Sequence, residues 1–141
     1  MDLTGNIHRL LLEASRSLKS GVIDPQEFHK LGMVLLSTAL LTEDNYFFVL
    51  SNTMYTLADA LSSFLKVSSM PLSMEYRGKT EALIEEVKSE LSHALQEIGE
   101  AISSGDKCRA LLASSSMLRV SYRVNMLAET LKNVVVVGNQ E

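Results

Sequence analysis

Tryptophan is absent from this 141-residue chain, cysteine occurs once, proline twice and glycine seven times. Each scarcity excludes something. The lone Cys108 rules out an intramolecular disulfide and a cysteine-based zinc site, and it fits a reducing compartment. Few prolines and glycines leave long uninterrupted segments, with the breakers falling largely at punctuation points. Thirteen basic residues against seventeen acids give a net charge of -4 and a pI near 5.4. That balance speaks against a protein that attracts nucleic acid through its whole-molecule field.

Long hydrophobic runs are also missing. The most apolar stretch, Leu31 to Leu41, has the length of a buried core helix and falls well short of a bilayer span. No membrane-spanning helix is therefore expected. His8, Arg9 and Glu13 interrupt the apolar stretch a secretory signal needs, so a cytoplasmic location is the expectation. There is no Gly-rich phosphate loop, no nucleophile with a base close in sequence and no His pair at metal spacing. No catalytic residues, resident metal or cofactor follow from that pattern.

What the chain does contain is aliphatic. Hydrophobic residues make up 46%, while only four tyrosines and four phenylalanines appear. Its length suits one domain, residues 1–141, able to bury a core without staples. Apolar residues recur at steps of three and four in five segments, which predicts an all-α antiparallel bundle of four to five helices.

The first segment runs from about Leu3 to Ser20 with Ile7, Leu10, Leu11, Ala14 and Leu18 on one face, and Gly21 ends it. The second starts at Asp24-Pro25 and reaches about Leu41. Thr42, followed by Glu43 and Asp44, is the expected cap of the third, whose seam is Phe47, Leu50, Met54, Leu57, Leu61 and Phe64. A loop or linker is expected near residues 68–73, where Pro71 forbids helix at Met70. The fourth, from about Met74 or Lys79 to Ser103, carries Ile84, Val87, Leu91, Ala94, Ile98 and Ala101. Gly105 stops it, Asp106 caps the fifth, and a short connection makes these two an antiparallel hairpin.

The stretch GVIDPQEF, Gly21 to Phe28, tests the metal question directly. Gly21, Ile23, Asp24, Glu27 and Phe28 stand at the spacing of a calcium loop's second half, and over this one loop the sequence resembles the EF-hand family. Counting back from Gly21 puts Arg16 and Leu18 where calcium needs hard oxygens. The same residues serve a helix stop followed at once by a helix start. Glu90 and His93 have the Glu-x-x-His spacing of di-iron bundles, but the chain holds no second copy of it. An exposed polar stripe is the expected role.

Charge divides unevenly. From Pro71 to Gly105 seven acids face Arg77, Lys79 and Lys88, whereas from Asp106 onward five bases meet three acids. Antiparallel neighbours of opposite charge are expected to pair along their flanks. Arg119, Tyr122 and Arg123 form the alternative, a small basic face for phosphate or nucleic acid, which requires Arg119 and Arg123 to stay free of acids. Cys108 sits near a helix start between Lys107 and Arg109, and without a neighbouring His a half-buried structural thiol is expected.

Apolar residues crowd nearly every face of the second helix, so it is either central or covered by another subunit. Val134 to Val137 are expected to fray or to meet another subunit, because four β-branched residues cannot all face one core in a helix. The candidate interface is accordingly Met33, Val34, Leu36, Leu40, Val134, Val135 and Val137. The expected function is non-catalytic association, as a homo-oligomer or with a protein partner. A nucleic-acid-binding subunit and a bundle with a polar ligand cavity near His93 are the alternatives.

Overall fold

The computed structural model describes residues 3–133. Five helices follow in order: α1 (Leu3–Lys19), α2 (Pro25–Thr42), α3 (Asn45–Ser68), α4 (Met74–Ser104) and α5 (Lys107–Lys132). Their ends obey backbone hydrogen-bond needs. Gly21 takes φ 96° after α1, a conformation glycine adopts without steric cost. The Asp24 carboxylate then accepts the Gln26 amide at 3.0 Å, Pro25 opens α2, and Glu27 sets a negative charge in its first turn.

Asp44, and not Thr42, caps α3. The Thr42 hydroxyl donates to the Thr38 carbonyl at 2.7 Å and so belongs to α2, which ends at Glu43 in the left-handed region, φ 58°. Asp44 then accepts the Tyr46 amide at 3.4 Å. Ser73 precedes α4 without a side-chain capping bond, whereas Asp106 accepts the Arg109 amide at 3.0 Å to start α5.

Contacts between helices fix the register. His8 and Ser15 of α1 meet Ser103 and Ser92 of α4, so the two run antiparallel. Gly32 and His29 of α2 meet Ser51 and Tyr55 of α3, again antiparallel. Lys107 and Ser114 of α5 meet Asp44, the cap of α3, and Thr53 within it, which makes that pair parallel. The spatial order is α1–α4–α5–α3–α2, with α2 returning to α1 through a slighter contact. A ring of five alternating helices must contain one parallel pair, and here it is α3 with α5.

The expected seams fill the centre. Ile7, Leu11, Phe28, Leu31, Leu35, Leu50, Met54, Leu57, Leu61, Phe64, Leu91, Ile98, Met117 and Val124 are all buried in one cluster. Each large aliphatic or aromatic side chain so buried contributes about 1.5–3 kcal/mol against exposure. Leu72, in the connection expected around Pro71, turns into the same core. Gly32 lets α3 approach, since a Cβ there would stand 3.1 Å from the Tyr55 ring.

Of the two places open to the second helix the central one falls away: α2 packs on α3 and, more lightly, on α1, which leaves its outer side uncovered. One expectation changes. Cys108 is exposed rather than half-buried, because the Asp106 cap turns Ala110 into the core and leaves the first turn of α5 outside.

Candidate functional site

Four of the nine ion pairs among the described residues join α4 to α5. The Arg109 guanidinium forks onto Glu97, with Nε–Oε2 at 2.7 Å and Nη2–Oε1 at 3.0 Å, and its Nη2 also donates to Glu100 at 2.5 Å. Hydrogen bonding from Arg109 holds the Glu97 carboxyl below its ordinary value against a smaller opposing effect of burial, and the same pair raises Arg109. At the next level Arg123 stands 3.1 Å from Glu90 and 3.8 Å from Glu86. That ion pair is poorly aligned, because Arg123 Nε and Nη2 are enclosed without a well-directed hydrogen bond.

Between these clamps lies a cleft of about 630 Å³ lined by both helices. His93 and Glu90 rise on the α4 side, Ser116 and Arg119 on the α5 side, and Ala94, Ala113 and Val120 line its apolar part. His93 thus borders a cleft of mixed lining, polar at its charged ends and apolar along Ala94, Leu112, Ala113 and Val120. Glu90 and His93 form no metal cluster, since among the described residues no group of three or more His, Cys, Asp or Glu converges.

The basic trio separates. Arg123 is neutralised by Glu86 and Glu90, the pairing that argues against a phosphate-binding face. Arg119 differs: its Nη2 donates to Ser116 Oγ at 3.0 Å, and it makes no ion pair among the described residues. Tyr122 is 60% exposed beside it. At the lower end of α5, Lys107 bonds Asp44 at 2.8 Å and lies 5.4 Å from the Tyr46 ring centre. That hydrogen bond lowers the Asp44 carboxyl, while burial raises the Tyr46 phenol.

The candidate interface residues of α2 divide by face. Met33 and Leu40 are exposed, with Leu40 at 65%, whereas Val34 and Leu36 are half-buried, Val34 against the core. Val134, Val135 and Val137 lie outside the described residues. Leu41, 70% exposed, and Phe48 and Val49 at the start of α3 extend the uncovered apolar surface at this end of the hairpin. A sequence pattern cannot flag them, because Leu41, Phe48 and Val49 adjoin core positions in helices apolar on several sides.

Fold and surfaces thus define an all-α five-helix bundle with an uncovered apolar helix face and an ion-clamped cleft. Comparison of the chain with protein-family models, with curated proteins and with solved structures gives no match. Among the described residues no helix is long and apolar enough to cross a membrane.

Proposed function

We propose that the protein works by association rather than catalysis, and that a second copy of the chain covers the outer stripe of α2. Self-complementarity carries this reading. Lys30, Met33, Ser37 and Leu40 follow one another at steps of three and four, and all four are exposed. No charged residue intervenes between Lys30 and Glu43. A two-fold antiparallel pairing centred between Leu36 and Ser37 sets Met33 against the second copy's Leu40 and Lys30 against its Glu43.

The ends support it as much as the middle. Neither Lys30 nor Glu43 makes an ion pair within the chain among the described residues, so both charges are available for pairing across the two-fold axis. Leu41, Phe48 and Val49 widen the apolar area that dimerisation removes from water.

Sedimentation equilibrium across a wide concentration range tests this. The wild type forms a dimer, and Leu40→Lys converts it to a monomer with an unchanged circular dichroism spectrum. Lys30→Glu weakens the dimer about tenfold, two symmetric pairs at about 0.7 kcal/mol each, and the double swap K30E/E43K restores it. A wild type that stays monomeric at every concentration, or a double swap no better than either single change, sinks the proposal.

A further inference from the structure

The outward side of α5 carries a second uncovered seam, independent of α2. Leu112, Ser115, Arg119, Tyr122 and Met126 recur at steps of three, four, three and four, the repeat by which one helix keeps a continuous line toward a partner helix. All five are exposed, Leu112 at 66% and Met126 at 72%. Leu112 and Arg119 also border the α4–α5 cleft, whose hollow gives a docked helix depth on one side. Leucine is a common anchor in helix grooves, and tyrosine, methionine and arginine are the types enriched where proteins meet.

Charge decides what fits. Arg119 stands at the middle of the seam without an acidic partner, while its neighbours Arg109 and Arg123 are each held between two glutamates. A second copy is a poor occupant: an antiparallel two-fold pairing centred on Arg119 opposes one guanidinium to the other, and an in-register parallel pairing does the same. Nucleic acid is also a poor occupant, since a single free cation beside Glu86 and Glu90 neutralises too few phosphates. We propose that this seam docks an amphipathic helix of another protein, one that lays apolar side chains between Leu112, Tyr122 and Met126 and places an Asp or Glu against Arg119.

The proposal is tested by selecting from a displayed library of randomised 18-residue helical peptides against the full-length protein. Enriched peptides carry apolar residues at steps of three and four around an acidic position. Arg119→Glu weakens their binding about tenfold or more, and exchanging the peptide's acid for Arg restores it on the R119E protein. Met126→Lys weakens binding similarly, and both variants melt like the wild type, because neither side chain is buried. Cys108, exposed one turn before Leu112, reacts more slowly with a maleimide when peptide is bound.

Four outcomes overturn it. These are a selection that enriches nothing, binders indifferent to R119E and M126K, a charge swap that fails to restore affinity, or an M126K change in the mass of the protein alone. The last makes a second copy the occupant. Dimerisation through α2 can fail without touching any of these readouts.

Discussion

Thr53 and Ser114 share a 2.6 Å hydrogen bond between their hydroxyls at the buried contact of α3 with α5. The Thr53 hydroxyl also donates to the Val49 carbonyl at 3.0 Å, so Ser114 supplies the proton of the bond between them. Thr53→Val leaves the Ser114 hydroxyl buried without its partner and costs about 1–3 kcal/mol. The double change T53V/S114A costs less than the sum of the two singles by about 1 kcal/mol. Urea unfolding of the four proteins measures the difference, and strict additivity contradicts the bond's role.

Gly32 sets how closely α2 and α3 approach. Alanine there gains about 1 kcal/mol of helix propensity but drives its Cβ to 3.1 Å from the Tyr55 ring, which His29 holds edge-on at 5.0 Å. Overpacking costs about 1–3 kcal/mol, so Gly32→Ala destabilises by about 1 kcal/mol net. In a Tyr55→Leu background the sign reverses and the same change stabilises. Thermal melts of both pairs decide it.

The Glu97 carboxyl is held below its ordinary value of 4.5, chiefly by hydrogen bonding from Arg109. A depressed folded-state pKa means that the stabilisation is present above the unfolded value and is lost as pH falls through the folded one. Wild type therefore exceeds Glu97→Gln in melting temperature at neutral pH, and the gap closes only in acid below about 4.5. A gap that does not depend on pH shows that the charge on Glu97 is not what Arg109 uses.

Asp24 starts α2 by accepting the Gln26 amide. Asp24→Ala costs about 1 kcal/mol, while Asp24→Ser, which keeps a capping oxygen, costs a few tenths. Equal losses for the two variants in urea unfolding contradict a capping role. Because α2 presents the proposed dimer stripe, D24A also raises the dimer dissociation constant without altering any residue of that stripe.

The periodic seams made the helices readable. Steps of three and four in Leu50, Met54, Leu57, Leu61 and Phe64, and again in Val87, Leu91, Ala94 and Ile98, named core residues that are buried in the bundle. GVIDPQEF likewise declared itself a corner, since Gly21, Asp24 and Pro25 each meet a backbone need within a few residues. The opposite charges of the last two helices forecast Arg109 and Arg123 pairing across to glutamates. Thr42 misled because two capping residues stand two positions apart, and only the left-handed turn at Glu43 gives the cap to Asp44.

Sequence by itself determined the five helices, most of their breaks and the inward seams of α1, α3 and α4, because those depend on 3.6-residue periodicity and on local hydrogen bonds at the termini. Only the tertiary structure decided which faces stayed uncovered. An all-round apolar helix such as α2 reads the same whether it lies at the centre or at the edge, and its place depends on which helices pack beside it. The same holds for Arg119 and Arg123, one turn apart in the chain: the packing of α4 beside α5 sets Glu86 and Glu90 against Arg123 and leaves Arg119 on Ser116 with no ion pair among the described residues.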